Sequence, residues 1–216
     1  MKRSKTSKAW MKQHVNDTYV QQAKAQGYRA RSSYKLLEID DKDHLIRPGM
    51  RIVDLGSAPG GWSQVAAQKL AGNGHVYALD ILEMTPMAGV SFIQGDFTEE
   101  SVLAALVAQL NGKPVDLVIS DIAPNISGIT LSDQAKSYYL AELARDFAFS
   151  HLQLEGAFLV KVFQGGDFDS YLKSLRLAFT KVQIRKPDAS RNQSKEVYLV
   201  AKGFKAPRTG QELGLE

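Results

Sequence analysis

Hydrophobic residues along the chain form short apolar runs that alternate with longer stretches of helical spacing. The short runs predict seven strands, at residues 51–55, 75–80, 90–94, 115–120, 156–162, 180–185 and 195–201. Between most of the strands, the helical spacing predicts helices at residues 62–71, 99–110, 132–153 and 167–178. Such alternation indicates a mostly parallel sheet with helices on both faces.

The last two predicted strands differ from the others because only the loop KPDASRNQS separates them. We therefore expect an antiparallel hairpin at the edge of the sheet, with the last strand reversed. The predicted fold class is α/β and Rossmann-like, with seven strands. The 216 residues are expected to form a single domain over 1–216, in which 203–216 are a frayed tail.

Positive charge is concentrated at the start of the chain. Residues 1–35 hold nine Lys/Arg and one acid, Asp17, which gives +8, so the rest of the chain carries 4 − 8 = −4. Aromatic side chains among these cations favour an RNA partner, because phosphate neutralisation and base stacking are both available: Trp10, Tyr19, Tyr28 and Tyr34. Residues 1–30 are thus predicted to be a basic RNA-binding extension. For residues 1–12, a solvated tail remains an alternative.

Two segments near this end carry helix signals. NDTYVQQAKAQGY and SSYKLLEIDDKDHL each combine a capping residue with helical spacing of apolar positions. The basic residues from about Asp17 onward are therefore expected to be held on ordered helices.

Composition removes several classes of site. The absence of cysteine excludes disulfides, thiolate catalysis and cysteine-based zinc sites, and four histidines are scattered without ligand-like spacing, so no metal is expected. No apolar run approaches eighteen residues and no secretory leader is recognisable. We expect no membrane segment and a cytoplasmic protein.

The glycine-rich segment DLGSAPGGWSQ follows the first strand and enters a helix. Gly56, Gly60 and Gly61 do not match the G-x-G-x-x-G spacing of dinucleotide folds, and Pro59 interrupts them. A longer loop of this kind suits a ligand with a nucleoside end and an amino-acid end. The predicted ligand is S-adenosylmethionine.

Acidic residues end the next strands at the same edge of the sheet. Asp80 is placed to accept hydrogen bonds from both ribose hydroxyls of the ligand. In QGDF, Asp96 is placed for the adenine amino group and Phe97 for an apolar wall. Taken singly, each residue is weak evidence, because an aspartate at the end of a strand is more often a helix cap or a turn former. Three such elements on successive strands favour a nucleoside site.

Titratable residues converge at this edge. Lys161 lies within FLVKVF, where a lone charge is costly unless it is paired or opens onto a cavity. Asp121 ends the fourth strand, and Glu196 begins the reversed last strand, so both belong at the carboxyl edge. Lys35 is a fourth candidate from the N-terminal helix, although periodicity alone does not place it there.

The motifs DLGSAPGGWSQ, ALD, GDF, SDIAPNISG, LVKVFQG and SKEVYLVA resemble those of the FtsJ/RrmJ (RlmE) family of ribosomal RNA ribose 2′-O-methyltransferases. The resemblance extends from about Tyr28 to Ala201. It implies a catalytic tetrad of Lys35, Asp121, Lys161 and Glu196. The expected cofactor-binding residues are Gly56, Ala58, Pro59, Gly60, Trp62, Asp80, Asp96, Phe97 and Asp121.

Roles for the tetrad follow from the chemistry of a ribose hydroxyl, which must lose its proton to become a good nucleophile. Lys161 is assigned as the proton acceptor, Asp121 as the group that orients it and faces the methyl donor, and Lys35 and Glu196 as positioning groups. The resemblance implies a uridine of 23S rRNA as the substrate, within the assembled large ribosomal subunit. We expect a monomer.

Three alternatives stay open at this point. One is a 2′-O-methyltransferase that acts on another RNA, such as tRNA. The second is an enzyme that methylates an exocyclic amine, but such an enzyme needs an Asn/Asp-Pro-Pro-aromatic turn, and DIAPN lacks the aromatic residue. The third is a non-catalytic RNA-binding module, which predicts broken cofactor loops or a missing lysine. Neither defect is present.

Overall fold

The computed structural model describes residues 17–124, 130–191 and 194–205. The basic residues of positions 1–16, the NISG portion of one motif and residues 206–216 of the expected tail lie outside this range. Within the described ranges, none of the helices combines the length and the apolar character needed to cross a membrane.

A seven-stranded sheet forms the centre of the fold, in the order β3-β2-β1-β4-β5-β7-β6. Its strands are β1 Arg51–Leu55, β2 His75–Asp80, β3 Val90–Gln94, β4 Val115–Ser120, β5 Leu152–Phe163, β6 Phe179–Arg185 and β7 Glu196–Phe204. The first five strands pair in parallel. The predicted α/β class and strand number are confirmed.

The reversed strand β7 lies between β5 and β6 and is antiparallel to both. The predicted hairpin is therefore present at the sheet edge, with β6 outermost. This arrangement places β5 inside the sheet, as the interpretation of Lys161 requires. It also brings the first residue of β7 beside the last residue of β5, since Glu196 pairs with Phe163.

Helices cover both faces of the sheet. They are α1 Thr18–Gln26, α2 Ser33–Asp43, α3 Gly61–Leu70, α4 Glu100–Leu110, α5 Thr130–His151 and α6 Phe168–Ala178. Alternate residues of β1 show the division: Val53 and Leu55 join the core under α4, α5 and α6, whereas Ile52 joins the core under α2 and α3. This alternation follows from the two-residue period of a strand.

The N-terminal helices are ordered and attached to the sheet. Asp17 caps α1 by accepting a hydrogen bond from the Tyr19 N–H, as the sequence predicts, but the Ser32 side chain makes no capping bond to α2. At the other end of α2, the buried Asp43 carboxylate accepts two hydrogen bonds from Arg185 of β6, at 2.7 and 2.8 Å. This ion pair fixes α2 against the sheet.

The boundary between α5 and β5 differs from the sequence prediction. The helix ends at His151, and residues 152 and 153, which we predicted to be helical, belong to β5. Leu152 already pairs with Val115, and the register then shifts between Val115 and Leu117. Glu155 takes a φ of 62°, so this irregular start interrupts the apolar pattern that marks the rest of the strand.

The last strand extends past residue 203, where the sequence predicts that the frayed tail begins. Gly203 and Phe204 belong to β7 and are not frayed. Phe204 is buried and packs against Phe179, with ring centroids 5.2 Å apart. The aromatic contact extends the strand past the point at which the sequence turns polar.

Candidate active site

Four elements deliver the predicted tetrad to one place at the carboxyl edge of the sheet. Lys161 lies near the end of β5, Asp121 directly follows β4, Glu196 begins β7, and Lys35 comes from the first turn of α2. The Lys161 ammonium is 3.1 Å from Asp121 Oδ1, and the Lys35 ammonium is 2.7 Å from Glu196 Oε1. The cluster thus consists of two ion pairs.

Tyr198 joins the two ion pairs, and the sequence analysis missed it. Its hydroxyl accepts a hydrogen bond from Lys35 at 2.9 Å and donates one to Asp121 Oδ1 at 2.9 Å. Tyr198 also lies opposite Lys161 in the β5/β7 register. The strand period gives a signal for Tyr198, because side chains two residues apart on a strand point to the same face and Glu196 is a predicted site residue.

Charges in the cluster are fixed by their neighbours. Burial alone would raise the pKa of Asp121, but the ammonium groups of Lys161 and Lys35 and the Tyr198 hydroxyl lower it below its usual range. Burial likewise opposes ionisation of Glu196, yet Lys35 lowers the pKa of that carboxyl. Both acids are therefore ionised at neutral pH.

Tyr198 behaves in the opposite way. Burial, followed by the charges of Asp121 and Glu196, raises the pKa of its hydroxyl well above the usual value. The hydroxyl keeps its proton and serves as a donor. Tyr198 is thus a bridging group and not a base.

A cavity of about 380 Å³ adjoins this cluster. Its wall comes mainly from the turns after β1 to β4, with Leu140 contributed by α5. Six of the residues predicted to bind the cofactor line it: Gly56, Ala58, Asp80, Asp96, Phe97 and Asp121. Asp121 therefore belongs to both the cavity wall and the ionic cluster, and it connects the two.

The acids of the cavity wall are held by backbone contacts. Asp80 accepts hydrogen bonds from the Ala58 N–H at 2.9 Å and the Leu82 N–H at 2.8 Å. Asp96 Oδ1 accepts from the Thr98 N–H at 2.8 Å, and the Thr98 bonds lower the pKa of Asp96. These contacts orient both carboxylates at the ends of their strands.

Gly56 is required where the wall approaches Ile122. Its φ is 78°, and a Cβ at this position would lie 2.7 Å from Ile122 Cβ. Only glycine fits such a position, because the left-handed backbone and the contact both exclude a side chain. The turn can therefore run close to the segment that carries Asp121.

Pro59, Gly60 and Trp62, the other three residues expected to bind the cofactor, are not among the residues that line the cavity. Gly60 caps α3 with a φ of 105°, and a Cβ there would lie 2.8 Å from Met84 Sδ. Trp62 lies in the first turn of α3 and is buried, and its Nε1–H donates to the Ser32 carbonyl at 2.9 Å. Gly60 thus begins α3 with the left-handed backbone that the turn requires, and the helix directs the Trp62 indole toward the core.

Two basic residues of the N-terminal segment are occupied by the chain itself. The Arg29 guanidinium donates to the carbonyls of Thr85 and Pro86, at 2.5 and 3.0 Å. Arg31 pairs with Asp17. The prediction that this segment is ordered is confirmed for the described residues. The guanidinium groups of Arg29 and Arg31 are, however, bound to groups of the chain itself, which compete with any RNA phosphate.

The loop before Glu196 is attached to the helix that carries Lys35. One turn after Lys35, the Glu38 carboxylate accepts the N–H groups of Asp188 and Ala189, at 2.6 and 3.1 Å. A single helix thus holds both the loop and the first residue of the following strand. This is how residues 161 positions apart in the sequence form one ion pair.

Comparisons with known proteins show the family to which the chain belongs. The model of the FtsJ-like methyltransferase family matches residues 28–204. Ribosomal RNA large subunit methyltransferase E of Methylobacillus flagellatus is 64% identical, over 93% of this chain and 97% of the relative. The protein of the same name from Nitrosospira multiformis is 60% identical, over 94% and 98% of the two chains.

A solved structure shows the same fold. A Plasmodium falciparum protein assigned as a ribosomal RNA methyltransferase is 29% identical and superposes with a TM-score of 0.74, over 82% of this chain and 98% of that protein. The family model covers more than half of the sequence, and the relatives match over nearly their whole lengths. The chain belongs to the FtsJ-like methyltransferase family.

Proposed function

We propose that this protein transfers the methyl group of S-adenosylmethionine to the ribose 2′-hydroxyl of a uridine in the RNA of the large ribosomal subunit. The observation that carries the proposal is the position of Asp121, which lines the cavity and contacts the Lys161 ammonium at 3.1 Å. A methyl donor in the cavity and a proton acceptor beside it are the two components that methylation of a hydroxyl needs.

The cavity fits the family's cofactor, S-adenosylmethionine. A volume of about 380 Å³ is within the usual range for a ligand of this size. Asp80 offers a carboxylate to ribose hydroxyls, Asp96 to an adenine amino group, and Phe97 an apolar surface. When bound, the cofactor supplies an electrophilic methyl group on a sulfonium. Pro59, Gly60 and Trp62 would support this site by shaping the turn.

Lys161 is the proposed proton acceptor. Its Nζ contacts Asp121 twice, at 2.6 Å from the backbone carbonyl and 3.1 Å from Oδ1. To accept a proton, Lys161 must first lose one from its ammonium, and the neutral amine then has two N–H donors and one lone pair, so two contacts to Asp121 would occupy both donors. The lone pair is then left for the proton of the ribose hydroxyl. Asp121 thereby orients the base.

Lys35, Glu196 and Tyr198 are proposed to position the ribose and the base. The Lys35 ammonium is held between Glu196 and Tyr198, and Tyr198 transmits this arrangement to Asp121. A hydroxyl that approaches Lys161 would meet donors and acceptors whose directions are already fixed. Such preorganisation lowers the barrier without a change in the protein at the moment of reaction.

The substrate assignment rests on the relatives, whose names specify the RNA of the large subunit. We infer further that the enzyme acts in the cytoplasm as a monomer, on the assembled subunit, and that the basic segment 1–30 contributes to RNA binding. Parallel assays with bare large-subunit RNA and with intact subunits test which form is the substrate. Sedimentation of the purified protein measures its mass and so tests the monomer.

A methyl-transfer assay tests the reaction itself. Large-subunit RNA from cells that lack the protein is incubated with tritiated S-adenosylmethionine and the purified enzyme, and then digested to nucleosides. We expect the label on the ribose of a uridine. Label on a base would indicate an amine-methylating enzyme. If a parallel assay with tRNA gives label and the large-subunit RNA gives none, the substrate is tRNA. No label with either RNA would indicate a non-catalytic RNA-binding module.

Asp80→Ala is expected to weaken S-adenosylmethionine binding by about 1–3 kcal/mol. The variant removes the acceptor for the ribose hydroxyls and also releases the Ala58 N–H of the glycine turn. Calorimetry measures the change. Asp116→Ala is the matched control, because Asp116 also accepts a backbone N–H, that of Arg51 at 2.7 Å, at the opposite end of the sheet. Equal affinities of the two variants would remove Asp80 from the site.

Tyr198→Phe is expected to slow single-turnover methylation by roughly tenfold, because loss of one buried hydrogen-bonding group costs about 1–2 kcal/mol. The cofactor affinity should hardly change, since Tyr198 does not line the cavity. Tyr171→Phe serves as the control: its buried hydroxyl donates to the Ala141 carbonyl at 2.7 Å, outside the ionic cluster. A Tyr198→Phe variant with the wild-type rate would show that the bridge plays no part in catalysis.

A further inference from the structure

Asp54 of β1 is a buried carboxylate to which the mechanism above gives no role. Its side chain is completely inaccessible to solvent. Oδ2 accepts a hydrogen bond from the Ser63 hydroxyl at 2.6 Å. Oδ1 is also buried, and the described part of the chain offers it no hydrogen-bond partner. Such an arrangement is costly and calls for a reason.

The position of Asp54 is next to the cofactor cavity. Its neighbours in the sheet are apolar, Ala78 of β2 on one side and Ile119 of β4 on the other. Two residues later, the chain reaches Gly56, which lines the cavity. Asp54 is therefore two residues from the cavity wall along β1, in surroundings that screen charge poorly.

The charged groups around Asp54 are mostly negative. Asp80 and Asp121 approach from the ends of the flanking strands β2 and β4, and α3 contributes Ser63, which favours the ionised carboxyl through its hydroxyl and its backbone N–H. From α2, the Lys35 ammonium is paired with Glu196 and Tyr198. Asp54 thus lacks a cationic partner among the described residues.

This environment sets the charge of Asp54. Burial first, and then the charges of Asp121 and Asp80, raise its pKa to about 7, although the Ser63 hydrogen bond opposes the shift. The pKa values of Asp121 and Asp96 are lowered. Near neutral pH, Asp54 therefore changes its charge while Asp121 and Asp96 keep theirs.

We propose that Asp54 is a specificity-determining residue that favours the sulfonium donor over the thioether product in the cavity. The donor brings a positive charge that the product lacks, and an ionised Asp54 attracts only the former. Conversely, the sulfonium favours the ionised acid, so donor binding releases a proton to solvent and product binding does not. The two effects must be equal by linkage. After methyl transfer this attraction disappears, which assists product release.

The test measures binding without RNA, and it rests on the cofactor assignment above. Affinities of the full-length protein for S-adenosylmethionine and S-adenosylhomocysteine are measured by calorimetry from about pH 5.5 to about pH 7.5. In the wild type, the preference for the donor should rise about five- to tenfold over this range. In Asp54→Asn, whose amide does not titrate, the preference should stay constant. Titration of the ligand's own amine cancels between the two proteins.

Proton counting gives an independent readout. At about pH 6.5, binding heats in buffers of different ionisation enthalpy should show proton release by the donor in the wild type and none in Asp54→Asn. Asp116→Asn is the matched control, since this acid belongs to β4 at the far end of the sheet. It should behave like the wild type.

Ser63→Ala keeps the carboxylate and removes the hydroxyl that donates to Asp54 Oδ2. Because this bond favours the ionised acid, its loss should move the pH midpoint of the donor preference upward. If Asp54→Asn does not fold, the shift of this midpoint in Ser63→Ala still tests whether Asp54 controls the donor preference. The proposal is overturned if the preference has the same pH profile in the wild type and in Asp54→Asn, or if Ser63→Ala leaves the midpoint unchanged. A wild type that binds no S-adenosylmethionine would instead refute the proposed function.

Discussion

We expect Lys161→Ala to lower the single-turnover rate of methyl transfer by about 10²–10⁴-fold, which is the usual contribution of a general base. The variant should still fold and bind S-adenosylmethionine, because the cavity wall comes from other strands. Single-turnover assays with saturating cofactor measure the rate, and calorimetry measures the binding. Lys202→Ala is the control, since Lys202 is a partly buried lysine on β7 that contacts the Asp43 carbonyl away from the site.

Lys161→Arg separates a proton acceptor from an electrostatic clamp. An arginine keeps the positive charge beside Asp121 but stays protonated at any accessible pH. We expect it to be nearly as inactive as the alanine variant. Substantial ribose methylation by Lys161→Arg would show that solvent or another group takes the proton.

Asp54→Asn should stabilise the protein at about pH 8 by as much as about 4 kcal/mol, and hardly at all at about pH 4. The reason is the raised pKa of Asp54, from an ordinary value near 3.8 to about 7 in the fold. Between these two values the folded state holds a proton that the unfolded state has lost, so the wild type loses stability as the pH rises. The loss is complete above the folded pKa.

Urea denaturation of both proteins across this range measures the difference. The gap in unfolding free energy should widen from about pH 4 to about pH 7 and then stay constant. Asp116→Asn should show no such widening, because its carboxylate accepts hydrogen bonds from the Arg51 N–H and from Gln153. A gap that is independent of pH would mean that folding does not raise the pKa of Asp54.

The sequence was sufficient for the sheet and for the members of the ionic cluster. Apolar runs have a clear period, and parallel strands bring their carboxyl ends to one edge, so Asp121 and Lys161 could be placed together before the structure was known. Glu196 required one further step, the reversal of the last strand. Lys35 could be assigned only by resemblance, because its position depends on how α2 docks on the sheet.

Other features were beyond the reach of sequence patterns. The direction of the Trp62 indole depends on the packing of α3, and a short motif does not encode it. Arg29 donates to the backbone carbonyls of Thr85 and Pro86. Every residue has a backbone carbonyl, so the sequence does not indicate which of them an arginine contacts. Local irregularity at Glu155 likewise hid the true start of β5. Tyr198, by contrast, is predictable from the sequence, since the alternation of β7 places it on the same face as Glu196.

The insertion of β7 between β5 and β6 has a consequence for synthesis of the chain. Strand β5 is complete at Phe163, but the backbone groups along one of its edges find partners only when residues 196–204 arrive. A nascent chain therefore carries an unpaired, apolar strand edge through the translation of more than thirty further residues, and β6 cannot settle beside β5 without blocking the strand to come. Unpaired edges of this kind attract other chains. Until residues 196–204 are made, this edge of β5 is therefore a place where the chain can associate with other chains.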